Sequence, residues 1–148
     1  MHKKPDYFLY RLVQAADQAG TLFQVTITAQ GQLISGTLVS NERWFRHQAE
    51  RLRNARVDGA TASDAAALTE AMGSLFDTWA DNVAAVNQER GLEEVLPDTD
   101  LDNGEPQYLH LAGARIFSGN TEYGFNNDQM ALRIRLTDVT AWTLGAFT

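Results

Sequence analysis

The chain has 148 residues, three histidines and no cysteine, so one domain with an ordinary hydrophobic core is expected, and disulfides, thiolate metal sites, iron–sulfur clusters and thiol nucleophiles are excluded. Its formal net charge of −7 is divided unevenly: residues 1–57 carry eight basic and four acidic side chains, residues 58–148 four basic and fifteen acidic. The acidic balance argues against nucleic acid as the main partner, while the division of sign suits contacts between the two halves or between one molecule and the next.

The basic start, MHKKPDYFLYRL, lacks the apolar run and small-residue cleavage site of a secretion signal. No uncharged apolar run is long enough to cross a bilayer, so a cytoplasmic protein without a membrane partner is expected. Asp6 to Ala19 reads as a short helix with Leu9, Leu12, Val13 and Ala16 on one face; Pro5 and Asp6 suit its first turn and Gly20 its C-terminal cap. Leu22 to Ser40 then reads as a β-hairpin. Phe23, Val25 and Ile27 alternate with Gln24, Thr26 and Thr28, the segment Ala29-Gln30-Gly31-Gln32 turns with Gly31 at positive φ, and Ile34, Gly36 and Leu38 share a face on the return. A glycine inside a strand points to a bend, a bulge or close approach of another backbone at Gly36.

Asn41 to about Val57 returns to helical spacing, with Asn41 as N-cap and Trp44, Phe45, Gln48 and Leu52 toward one side. Arg43, Arg46, Arg51, Arg53 and Arg56 decorate the remainder, a solvated face and the place where an acidic partner would bind. After a turn at Asp58-Gly59, Thr61 and Asp64 fit a capping box. The next helix runs to about Gln88 or Arg90, and its stripe of Leu68, Met72, Leu75, Phe76, Trp79, Val83 and Val86 is expected to be core, packed on the preceding helix and on the sheet.

Gly91 to Gln107 is an acidic connection broken by Pro97, Gly104 and Pro106. Strands resume at Tyr108–Phe117, followed by a polar loop over 118–128, a strand Met130–Leu136, a tight turn near Thr137-Asp138 and a last strand Val139–Leu144. Helix, two strands, two helices and three strands describe an α+β protein: a small, strongly bent five-stranded antiparallel sheet or barrel with an N-terminal helix and a two-helix insertion between strands 2 and 3.

Evidence for chemistry is sparse. His2, His47 and His110 lie on a terminus, a helix and a strand, without the paired spacing of a metal site. Asp98-Thr-Asp-Leu-Asp-Asn-Gly104 starts like a calcium loop, but its glycine falls at position 7 and Leu109 stands where a bidentate glutamate belongs, so a solvated acidic loop is the better reading. No GxSxG elbow, phosphate loop or GxGxxG turn occurs. Neither catalytic residues, a metal nor a cofactor are expected, and the chain does not read as an enzyme.

The segment VTITAQGQLISGTLVS resembles the first motif of the Sm-like family, YLHL its third strand, and ALRIRLTDVTAWTLG its closing two-strand motif. Taken together, LISGTLVS, YLHLAGARIF and LTDVTAWTLG resemble the gas vesicle accessory protein U family. That resemblance implies a single Sm-like domain over 1–148 with a helical insertion at about 41–107. It implies a non-enzymatic accessory protein that forms a homo-oligomer and contacts the gas vesicle shell or other gas vesicle proteins, in vesicle assembly, organisation or clustering. Sm-like strands four and five pair between neighbours, which places oligomerisation on Leu132, Ile134, Val139 and Trp142; the candidate partner surface, read from the arginine-bearing helix itself, is Arg43, Arg46, Arg53 and Arg56. The RNA-binding pattern transfers poorly, because His110 replaces the expected asparagine and Leu136 follows Arg135 where a glycine belongs. An Sm-like RNA-binding module and a small-molecule or calcium-binding domain stay open as alternatives.

Overall fold

Phe23–Ala29 (β1) and Gln32–Val39 (β2) pair antiparallel from Phe23↔Leu38 to Ala29↔Gln32. Gln30 and Gly31 both take positive φ, 54° and 76°, the two-residue turn whose twist matches that of the strands it joins. The computed structural model describes residues 4–54, 62–90, 107–118, 121–123 and 130–146. It divides into two compact units, residues 1–40 with 90–148, and residues 41–89.

In the first unit, Tyr108–Ser118 (β3) pairs with β2, and Thr121–Tyr123 (β4) and Leu132–Arg135 (β5) both pair with β3, on its second and first halves respectively. Val139–Leu144 (β6) lies on the far side of β1, so the sheet runs β4-β3-β2-β1-β6 with β5 beside β3. A 3₁₀ turn, Leu136–Asp138, carries the chain from one side of this sheet to the other, which is how a small curled sheet wraps toward a barrel. The five strands expected from the sequence are present. The three-residue β4 falls in what reads as polar loop, a strand too short to show a period.

Curvature originates at two facing glycines. The β2–β3 register shifts between Ser35↔Arg115 and Thr37↔Ala112, leaving one extra residue on β3, where Gly113 takes φ 58°. This is a glycine bulge, which bends its strand and sharpens the twist. Gly36 sits opposite: a Cβ there would lie 3.2 Å from the Ala112 carbonyl oxygen and 3.3 Å from the Ala114 Cα. Both the bend and the close approach expected at Gly36 are present, although the added residue belongs to β3.

Tyr7–Ala19 (α1) is capped by Asp6, whose Oδ1 accepts from the Leu9 N–H at 2.9 Å, and stops at Gly20 in the left-handed region. Its face of Leu9, Tyr10, Val13 and Ala16 joins Val25, Ile27, Ile34, Leu38, Leu109, Leu111, Ala114 and Leu136 in one core cluster. Gln14 is buried within reach of that core because its amide donates to the Tyr10 hydroxyl at 2.9 Å. The same Asp6 Oδ1 accepts from Trp142 Nε1 at 3.0 Å, joining the first helix to the last strand. Asp6→Ala therefore removes a cap and a cross-link together. It is expected to lower stability by about 1–2 kcal/mol in urea melts, with Asp6→Asn keeping most of it.

The second unit is an αα-hairpin of Asn41–Arg53 (α2, 13 residues) and Ala62–Arg90 (α3, 29 residues). Asn41 Oδ1 accepts from the Glu42 N–H at 2.8 Å and from Asn87 Nδ2 at 2.9 Å, so the start of α2 is fixed to the end of α3. Small residues let the helices approach: Ala49 and Ala80 are fully buried, and Gly73 is where the Arg53 side chain lies across α3. Trp44, Phe45, Phe76 and Trp79 form an aromatic cluster, with Phe76 and Trp79 edge to face at 4.9 Å. The expected burial of the α3 stripe is corrected. Phe76 and Val83 are partly buried, whereas Leu68, Met72, Leu75, Trp79 and Val86 stay between 37% and 52% exposed. A 13-residue helix is too short to shield a 29-residue one whose apolar residues spread over more than one face. Thr61, Arg56 and the acidic loop at 98–104 lie outside the described residues.

Candidate interaction surfaces

Two surfaces follow from the sequence: the arginines of α2 and the closing strands β5 and β6. On α2 two of the arginines form ion pairs within the hairpin. Arg46 bonds Glu42 and Asp81, each at 2.9 Å, and Arg53 bonds Glu70 at 3.2 Å and Asp77 at 2.6 Å. The hydrogen bond to Asp81 first, then Glu42, holds the Arg46 guanidinium above its usual pKa; Asp77 first, then Glu70, does the same for Arg53. Arg43 is exposed on the same helix.

Arg46 and Arg53 thus have structural partners within the hairpin. The signal was available: they stand seven residues apart, and Glu70, Asp77 and Asp81 recur at seven and four on the antiparallel helix, so both rows fall on facing sides. Reversing both to glutamate would set like charges against Glu42, Glu70, Asp77 and Asp81. The double variant Arg46→Glu/Arg53→Glu is expected to melt earlier by circular dichroism, with part of the loss restored by 0.5 M salt (roughly three times the ionic strength at which the Debye length is about 8 Å). An unchanged melting curve would show that these pairs carry no stability.

On β5 and β6, Leu132, Ile134, Val139 and Trp142 are all partly buried and pack against the core of the first unit. What these strands offer a partner is backbone. Among the described residues, β5 pairs only with β3 and β6 only with β1, and Thr140, Ala141, Thr143 and Leu144 of β6 are exposed. Arg133 and Arg135 alternate outward along β5, and the Arg133 guanidinium stacks on the Tyr108 ring at 3.8 Å.

His110 lies beneath this outer row, between Val39 of β2 and Arg133 of β5. It is 3% exposed. Burial, and then the positive charge of Arg133, push its pKa down to about 3 from the usual 6.5. The imidazole is therefore neutral and enclosed, and it presents no edge to a base as a ligand of Sm-like type would require. No three His, Asp or Glu side chains converge as a metal site among the described residues, and no described helix is long and apolar enough to cross a membrane.

A family model described as gas vesicle protein GvpU-like matches residues 6–147, nearly the whole chain and both units. The chain belongs to that family. No curated protein and no solved structure matches it. GvpU-like membership makes this a gas vesicle-associated protein, and the match extends across the α2–α3 hairpin. The hairpin thus lies within the matched span.

Proposed function

We propose that this GvpU-like chain is a cytoplasmic, non-enzymatic accessory protein of gas vesicles, acting through protein–protein contacts in their assembly, organisation or clustering. The observation that carries the reading is the family match over residues 6–147. The strand order supports an Sm-like core, since β6 returns to β1 through a 3₁₀ turn after β5 has paired with β3. In this reading the outer edges of β5 and β6, which pair with no further strand among the described residues, pair between copies, backed by Leu132, Ile134, Val139 and Trp142, because a strand edge has a row of donors and acceptors to fill. In the same reading Arg43, Arg46, Arg53 and Arg56 supply charge toward the vesicle shell or other gas vesicle proteins.

Co-flotation with intact gas vesicles tests it. Buoyancy carries bound protein to the surface and leaves free protein below. Enrichment in the floating layer that is lost in high salt is the expected result, and absence from that layer at low salt overturns the reading.

A further inference from the structure

The outer edge of β5 carries its charge and its open backbone on the same two residues. The Leu136 N–H donates to the Gln107 carbonyl at 2.8 Å, and the pairing from Tyr108↔Arg135 to Leu111↔Leu132 continues from that bond. In an antiparallel ladder the N–H and C=O of one residue point to the same side, and successive residues alternate. Leu132 and Ile134 therefore turn these groups to β3. Arg133 and Arg135 turn theirs to the outer edge, which pairs with no further strand among the described residues. Both arginines are exposed, and being two apart they stand on one face of the sheet. The stack on Tyr108 fixes the plane of the Arg133 guanidinium, and a guanidinium's donors lie in its plane.

We propose that this edge binds an extended acidic segment of a different protein, added to β5 as an antiparallel strand with carboxylates at alternate positions opposite Arg133 and Arg135. Same-face residues of a strand recur about every 6.5–7 Å, so alternating acids meet both cations while the backbone bonds set the register. Strand addition draws affinity from the backbone and specificity from alternate side chains. The net charge of −7 is carried elsewhere: after position 105 three acids, Glu122, Asp128 and Asp138, stand against three arginines, and Glu122 lies 3.5 Å from Arg115. A second copy answers the charge less well. Two β5 strands would set arginine against arginine, and β6 has no charged residue to offer. The inference rests on the reading above only in taking this edge as open to a partner, and an acidic strand and a second copy exclude one another there.

Fluorescence anisotropy with the full chain tests this, the probe being a labelled peptide of about seven residues, an ordinary strand length, that alternates glutamate and valine. The peptide should bind at low salt. One of the same composition with its glutamates in a single block should bind about tenfold more weakly. N-methylation of the glutamates, whose N–H groups would face β5, should abolish binding, and N-methylation of the valines, whose groups face away, should not. Arg135→Glu should weaken the alternating peptide about tenfold with an unchanged circular dichroism spectrum, and lysine in place of one glutamate should restore binding to that variant. No binding of the alternating peptide overturns the inference and leaves the arginines as charges that blunt an edge. Equal binding of the blocked peptide, or indifference to methylation of the glutamates, overturns it in favour of charge attraction without a strand. Binding that survives Arg135→Glu overturns it and moves the site to another face. None of these outcomes alters the flotation result, so the accessory reading stands or falls separately.

Discussion

Lowering the pH from 6.5 to 4.5 is expected to remove about 2–3 kcal/mol of stability through His110 alone. Its pKa in the folded protein is about 3, against an ordinary 6.5. As pH falls through 6.5 the unfolded chain takes up a proton on this imidazole and the folded chain does not. The unfolded state then binds more protons, and stability falls with pH. The contribution is complete above pH 6.5 and is lost progressively toward pH 3, where the folded form protonates as well. Carboxylates add their own dependence at the acid end, so the measurement is a difference. Urea unfolding of the wild type and of His110→Gln at pH 7.5 and 4.5 should show the wild type losing about 2–3 kcal/mol more than the variant across the interval. Equal losses would show that the imidazole takes up its proton in the folded state near its ordinary pKa.

Gly36→Val should destabilise the first unit by about 2–3 kcal/mol, and Gly36→Ala by less. The Cβ of any replacement meets the Ala112 carbonyl oxygen, the Ala114 Cα and the Leu111 Cβ, all within 3.3 Å. None of these is the free end of a flexible side chain. They belong to β3, which β2 holds on one side and β5 on the other, and the Ala114 N–H is itself bonded to the Met130 carbonyl at 2.8 Å. Relief therefore requires the bulge to shift, and with it the register around Gly113. A valine variant within about 0.5 kcal/mol of wild type in urea melts would mean that β3 yields as a unit.

The elements legible in the sequence were those specified by neighbours in the chain. The caps of α1 and the Gln30-Gly31 turn follow from a few adjacent residues, and the alternation of β1 and β2 from a period-2 pattern. What escaped is set by residues far apart. Gly113 looks like any other loop-prone glycine until Gly36 is placed opposite it. The helical spacing of α3 predicts which residues share a side but not whether that side is covered, and α2 covers another. The arginines of α2 show the same limit: their spacing marks an exposed row, while their bonds to Asp77 and Asp81 arise only from the antiparallel pairing of two helices. For the candidate surfaces, the sequence pointed to Leu132, Ile134, Val139 and Trp142 as a group. It did not distinguish side chains committed to the core from the backbone edges beside them.

The attachment of the last strand to the first has a kinetic side. β6 pairs with β1, the Thr26 hydroxyl donates to the Gly145 carbonyl at 2.8 Å, and the Gly145 N–H donates to the Gln24 carbonyl at 2.7 Å. Nearly the whole chain intervenes. The β1–β2 hairpin and the α2–α3 hairpin can each form from local contacts soon after synthesis, whereas the β1 edge must wait for β6 to emerge. Closing so long a loop adds only a slowly growing entropic term, so the native state tolerates it, but the wait leaves Val25 and Ile27 beside an unpaired strand edge. Chains that end before β6 should therefore gather into aggregates rather than persist as folded monomers.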